Sequence, residues 1–342
     1  MQTLAFPEVF CPFPSQMNPH VTSAQQHLLD WVHTFGLVQK ETARQRFQRA
    51  DFAAFAACTY PTCSQSDIAL VSDWFAWLFL VDDQLDDGVV GRNLDLARRC
   101  MSDMLAVLRE DPITLTPSYT ASAVERAYCS SAVASLADLW RRSAPGMTDA
   151  WRSRFIRHVN DCFAAAYWEA QNRIQGIRPD VATYITKRRD TGAIYICLDL
   201  IDVVEQLAMP VHLYESAIFQ DLIDTTSNVV CWSNDLYSLE KERELGEFHN
   251  LVLVVQHAHN IDEQEAIDGV CEMISSEVER FIGLEEQIYL IFPEYAEELD
   301  KYLAGMKSWM RGNLDWSAET QRYYYIEKAV MGESAAYLDA IM

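Results

Sequence analysis

The sequence predicts an all-α fold, and three of its features carry that prediction. Apolar residues recur at helical spacing along most of the chain, strand-period alternation is nowhere sustained, and Gly and Pro fall mainly between the periodic stretches. Half of the 342 residues are hydrophobic, enough for a sizeable core. No Ser/Gly/Pro-rich linker, internal repeat or low-complexity tract divides the chain. The prediction is therefore an extended N-terminal strap over residues 1–20 and a single α-helical domain over 21–342.

Pro7, Pro12, Pro14 and Pro19 among aromatic residues keep the opening extended. Leu28, Trp31, Val32 and Phe35 share one side of a helix over 21–37, and a short helix follows over 41–57. Pro61 ends it, and Ser64 to Asp67 reads as the cap of the next helix, which Gly88 and Gly91 close. Helices are predicted over 92–109, 120–142 and 148–175, the last with Phe155, Val159, Cys162 and Ala166 on one face. Gly176 and Pro179 mark a turn before a helix over 180–207. Gly192 lies inside that helix, where glycine costs about 1 kcal/mol against alanine and invites a kink or break. After Pro210, helices fit 216–243, 250–258, 262–289 and 293–314, with a last turn in the 320s.

A formal charge of −23 argues against nucleic acid or an anionic membrane as partner, since both need a basic footprint. Nine cysteines, an odd number without C-x-x-C, read as reduced and buried thiols of a cytoplasmic protein. No signal-peptide pattern opens the sequence. The longest apolar run, Trp74 to Val81, is far short of the roughly 20 residues that span a bilayer. His257 and His259 have no matching ligands nearby and read as solvated helix residues.

The stretch Asp82-Asp83-Gln84-Leu85-Asp86-Asp87 follows that apolar run. At about 100° per residue, Phe75, Phe79, Asp82 and Asp86 lie within roughly 40° of one direction. An aromatic stripe thus turns into carboxylates. A buried, unpaired carboxylate costs several kcal/mol, so a cation is expected there. Hard oxygen ligands on a helix suit Mg²⁺ shared with a phosphate. Asp87 sits about 100° further round than Asp86, which leaves the second acid of the motif ambiguous.

A second stripe behaves alike. Asn234, Ser238 and Glu242 stand at i, i+4 and i+8, spread over about 12 Å of helix, downstream of Ile223, Ser227 and Val230 on the same face. An amide, a hydroxyl and a carboxylate form a weakly charged chelate that needs outside oxygens as well.

Together, Asp82-Asp83-x-x-Asp86 and Asn234-Asp235-x-x-Ser238-x-x-Lys241-Glu242 resemble the two metal motifs of class I terpene synthases of the microbial kind. Arg188, 46 residues before Asn234 and followed by Thr191 and Gly192, is similar to the family's diphosphate-sensing arginine with its linker and effector positions. Arg322-Tyr323 resembles its Arg-Tyr pair. Phe13-Pro14 to Asn18-Pro19 and Gly246 to Asn250-Leu251 also fit, so the likeness covers nearly the whole chain. The β-rich accessory domains and the Asp-x-Asp-Asp motif of class II cyclases are absent.

The resemblance implies a helical bundle around a central apolar cavity, with residues 21–342 as its catalytic domain and three Mg²⁺ ions bound together with diphosphate. Asp82 would be the principal ligand of two ions, with Asp86 a nearer partner than Asp83. Asn234, Ser238 and Glu242 would hold the third. Arg188, Lys241, Arg322 and Tyr323 would grip the diphosphate, arginine being suited by its planar donors. Phe75 and Phe79 below Asp82, and a stripe through Trp309, Trp316 and Tyr323, are placed to face a carbocation, each worth about 0.5–2 kcal/mol. The implied activity is ionisation and cyclisation of farnesyl diphosphate, an isoprenyl diphosphate, to a sesquiterpene hydrocarbon or alcohol; a homodimer is compatible with it. A diterpene cyclase using geranylgeranyl diphosphate is the alternative. A chain-elongating prenyltransferase would carry a second Asp-rich motif at Asn234. An acidic non-enzymatic scaffold leaves Arg188 and Arg322-Tyr323 unexplained. An EF-hand counted from Asp82 fails, with Asp87 and Asn93 where Gly and Glu are required.

Overall fold

In a computed structural model, which describes residues 7–86, 93–111, 123–320 and 322–323 (backbone only for 86 and 123–128), every regular element is helical. In chain order these are α1 (Val21–Thr34), α2 (Glu41–Ala50), α3 (Phe52–Thr59), α4 (Gln65–Asp86), α5 (Leu94–Leu108), α6 (Ala123–Ser143) and α7 (Asp149–Gln175). Then follow α8 (Val181–Thr191), α9 (Ile194–Val204), the one-turn α10 (Val211–Tyr214), α11 (Ala217–Leu245), α12 (Leu251–His259), α13 (Glu263–Ile291) and α14 (Ala296–Glu319).

Most starts have a side-chain cap. Ser64 Oγ accepts from the Asp67 N–H at 3.2 Å, as its position suggested, and Asn93, Thr148, Asp180 and Ser216 do the same for α5, α7, α8 and α11. Asp262 and Glu265 form a reciprocal capping box on α13. Gly176 and Gly246 close α7 and α11 in the left-handed region. Residues 7–18 carry no helix, in keeping with their prolines.

Three expectations need correction. The helix over 41–57 is two helices, because Asp51 adopts φ 51° and ψ 54° between α2 and α3. The helix over 180–207 is two helices, the break that Gly192 invited falling after Thr191. The final helix begins at Ala296, after a 3-10 turn at Pro293–Tyr295, and runs on to Glu319; Tyr323 lies beyond it in a turn. Trp309 and Trp316 thus share a helix, and Tyr323 does not continue their stripe.

The described chain divides into two compact units. The first comprises residues up to Met17, the short segment Cys58–Pro61, and Ile177–Glu319. Its centre is α11, on which α8, α9, α12, α13 and α14 pack. The strap lies on α13, with the Phe13 ring edge-on to Phe281 at 5.8 Å and the Phe10 N–H donating to Ser275 Oγ at 3.2 Å. Tyr60 reaches from the short segment to donate its hydroxyl to the Cys197 carbonyl on α9. The second unit comprises Asn18–Ala57, Thr62–Gly176 and the chain from Thr320 on. There α4 packs against α1, α6 and α7, and Trp74, Trp77, Phe75 and Phe155 are fully enclosed.

Seven of the nine cysteines are buried, and none of them is in a disulfide. His257 and His259 are exposed, as read. Among the described residues no helix is long and apolar enough to cross a membrane.

A polar cluster ties the second unit together. Asp73 of α4, fully buried, accepts from His27 Nε2 of α1 and from Arg142 Nη2 of α6, both at 2.8 Å. Arg142 also meets Asp138 at 2.9 Å, which takes the Trp31 indole N–H at 3.0 Å. The hydrogen bond to Asp73 raises the His27 pKa. A histidine raised on folding stabilises fully below its unfolded value of about 6.5, and that contribution fades as pH climbs through the folded value. His27→Ala is therefore expected to lower the denaturant midpoint more at pH 6 than at pH 9. Equal losses at the two pH values would remove the charge from this account.

Candidate active site

Helix α11 carries the second stripe to its C-terminal half. Asn234 is half-buried, Ser238 is buried, and Glu242 follows one turn later on the same face. Ser238 Oγ donates to the Asn234 carbonyl at 2.7 Å, which anchors the hydroxyl while its lone pairs stay available. Asn250, the N-cap of α12, donates through Nδ2 to Glu242 Oε2 at 2.9 Å and to the Asp235 carbonyl at 2.6 Å. Burial first, and then the charge of Asp235, push the Glu242 carboxyl up to about 7. A dication would offset both, so the donor set fits the hard cation that it resembles a site for.

Arg188, in the last turn of α8, lies across this site. Its Nη2 donates to Asn234 Oδ1 at 2.8 Å, and its Nε and Nη2 both reach Asp235 Oδ1 at 2.9 Å. The other oxygen of Asp235 accepts from Tyr184 Oη at 2.8 Å and from the Leu251 N–H at 2.9 Å. Asp235 is completely buried, and the Arg188 side chain is 16% exposed. Burial raises the Asp235 pKa, opposed chiefly by the Arg188 charge. Neither Asp235 nor Tyr184 was singled out as a site residue from the sequence. The available signal was that Tyr184 and Arg188 stand four apart on one helix face, while Asp235 adjoins the first residue of the stripe.

Thr191 and Gly192 form the end of α8, and the left-handed residue there is Ala193 at φ 55°, not the glycine. Gly192 keeps an ordinary φ of −66°. Its constraint is space: a Cβ would stand 2.3 Å from Cys231 Sγ and 3.1 Å from the Arg188 carbonyl. That carbonyl accepts the Gly192 N–H at 2.9 Å and the Cys231 thiol at 3.5 Å. The bare α-carbon thus lets α8 end against α11 with Arg188 in place. Gly192→Ala is expected to cost about 1–3 kcal/mol, as overpacking does. Denaturant melts of a double-mutant cycle should show Cys231→Ala restoring part of that loss. A strictly additive double variant would place the conflict elsewhere.

The α4 end belongs to the second unit. Asp82 is half-buried, while Asp83 is buried and faces Arg322, whose Nη2 and Nη1 reach its two oxygens at 2.8 and 3.2 Å. The Arg322 guanidinium also lies 4.7 Å from the Phe79 ring centroid and 5.7 Å from that of Phe52. Those two rings stack at 4.6 Å. Phe75, one turn below, is buried against Phe55 at 5.0 Å. Tyr323 is buried beside Arg322 in sequence. Asp86 is the last residue of α4, with no side chain described, and Asp87 lies outside the described residues.

Among the described residues no three His, Cys, Asp or Glu side chains gather into a metal site. On α11 two of the three donors are an amide and a hydroxyl, and on α4 the Asp86 side chain and Asp87 lie outside the described residues. Lys241, one residue before Glu242, is half-buried on α11. Trp316 is buried on α14.

Comparison with known proteins bears on these arrangements. Residues 73–280 match the model of terpene synthase family 2, C-terminal metal binding. The chain is 35% identical over 312 residues to a (+)-T-muurolol synthase, farnesyl diphosphate cyclising, of Roseiflexus castenholzii, covering 91% of this chain and 92% of that one. It is 32% identical over 333 residues to a germacrene A synthase of Nostoc punctiforme, covering 97% and 99%. Among solved structures, the linalool/nerolidol synthase of Streptomyces clavuligerus in complex with 2-fluorogeranyl diphosphate superposes with a TM-score of 0.79 at 28% identity, over 93% of this chain and 100% of that one. Matched over nearly its full length by such enzymes, the chain belongs to the class I terpene synthases and is a terpene cyclase, a lyase acting on diphosphate esters.

Proposed function

We propose that this enzyme ionises farnesyl diphosphate with the help of three Mg²⁺ ions and cyclises the carbocation to a sesquiterpene hydrocarbon or alcohol. The observation that carries the reading is the α11 face, where Asn234, Ser238 and Glu242 stand one turn apart and Arg188 donates to Asn234 Oδ1. The farnesyl preference is supported by the (+)-T-muurolol synthase relative, whose name states that substrate.

In this reading Asn234, Ser238 and Glu242 hold one ion, and Asp82 with Asp86 the others. When bound, the metal stabilises the diphosphate as it leaves. Arg188, Lys241, Arg322 and Tyr323 bind and orient the diphosphate oxygens, and Asp235 holds Arg188 in register. Phe75, Phe79 and Trp316 exclude water and offer ring faces to positive charge. Thr191 and Gly192 transmit the position of Arg188 to the start of α9.

The test is purified protein with C10, C15 and C20 diphosphates, with Mg²⁺ or chelator, read by gas chromatography. Cyclic C15 hydrocarbon or alcohol formed only with metal is the expected result. A cyclic C20 product in its place, or a longer linear diphosphate on adding isopentenyl diphosphate, would overturn the substrate or the reaction respectively.

A further inference from the structure

One cation already sits on the α11 face: the Arg188 guanidinium, 2.8 Å from Asn234 Oδ1. We propose that Arg188 is the resident cation of this site and withholds Asn234 from metal until a diphosphate draws the guanidinium away. The inference rests on the reading of Asn234, Ser238 and Glu242 as ligands and adds to it a rule for the order of binding.

The physical case has three parts. Asn234 offers one amide oxygen, and a metal bound there would set a dication and a guanidinium against the same atom. Such like charges repel more strongly at a half-buried site than in open water. Arg188 is not loosely placed, since Asp235 grips it through Nε and Nη2 at 2.9 Å, and Tyr184 and the Leu251 N–H fix the other Asp235 oxygen. The contact with Asn234 is therefore built in. Finally, a diphosphate is a better acceptor for guanidinium than a neutral amide, because charge-assisted, bidentate hydrogen bonds are the stronger ones. Its arrival would pull Arg188 off Asn234 and bring negative charge for the dication at the same time. Metal and diphosphate would then enter as a pair, and a metal alone would be turned away. In a chain of net charge −23, which attracts divalent ions generally, such a gate keeps this site clear until substrate is present.

The experiment follows Mn²⁺ binding to the full chain by electron paramagnetic resonance, with and without inorganic diphosphate, in wild type, Arg188→Gln, Asn234→Ala and the double variant. Without diphosphate, Arg188→Gln should bind an Mn²⁺ at least about tenfold more tightly than wild type, a change of about 1.4 kcal/mol. The gain should vanish in Arg188→Gln/Asn234→Ala. Wild type should acquire the same Asn234-dependent ion once diphosphate is added. A merely structural arginine would not produce tighter binding on removal. If Arg188→Gln fails to fold, Arg188→Lys serves: it keeps a charge but lacks the fork that spans Asn234 and Asp235, and should also bind Mn²⁺ more tightly than wild type. Identical titrations of wild type and the Arg188 variant, with Asn234→Ala weakening both, would overturn the gate and leave the ligand assignment standing. If Asn234→Ala changes no Mn²⁺ binding even with diphosphate present, the ligand assignment falls, and the gate with it.

Discussion

Turnover in Asn234→Ala and in Asp82→Ala is expected to fall at least about a hundredfold, the scale seen when a preorganised electrostatic stabiliser is removed. The helical spectrum and melting point should stay close to wild type. Both side chains sit at helix positions that are only half-buried, and neither replacement opens a large cavity. In Asn234→Ala the Arg188 guanidinium keeps its two contacts with Asp235, so the local structure has a fallback. The check is steady-state kinetics with saturating Mg²⁺ beside circular dichroism on the same preparations. A variant that unfolds, with full activity per folded molecule, would make that residue structural and remove it from the site.

The second large effect is on stability. Asp235→Ala leaves the half-buried Arg188 charge and the buried Tyr184 hydroxyl and Leu251 N–H without their common acceptor. Removing one partner of a buried ion pair costs about 3–5 kcal/mol, because the other charge is stranded. Tyr184→Phe deletes a single hydrogen bond to the same carboxylate and should cost about 1 kcal/mol. Denaturant midpoints at pH 7.5 distinguish the two losses. If Asp235→Ala melts within about 0.5 kcal/mol of wild type, as an ordinary surface substitution would, the carboxylate is not the hub described here.

How far the sequence could reach depended on the range of each interaction. Helix starts were legible because the capping atom and the amide it serves lie within three residues, as Ser64 and Asp67 do. The shared helix faces of Phe79 with Asp82 and of Asn234, Ser238 and Glu242 were legible because helical periodicity alone decides which side chains align. What stayed hidden involved partners from elsewhere in the chain. Asp235 reads as one more acid in an acidic sequence until Tyr184, Arg188 and Leu251 arrive around it. The break at Asp51 depends on a left-handed conformation that glycine would have advertised more plainly than aspartate does. Gly192 was expected to kink or break its helix and the helix does break there, but what the glycine itself supplies is the missing Cβ in front of Cys231. The aromatic stripe failed at Tyr323 because seven-residue spacing has no meaning once α14 has ended at Glu319.

The pairing of Arg322 with Asp83 spans 239 positions of sequence. Synthesis from the N-terminus releases α4 long before Arg322 leaves the ribosome, at about 5–20 residues per second. During that interval the aspartate has no guanidinium to meet and the ring of Phe79 is uncovered on that side. A nascent chain therefore carries this acidic helix end unfinished until Arg322 has emerged, and an early stop near residue 320 would damage a part of the molecule made first.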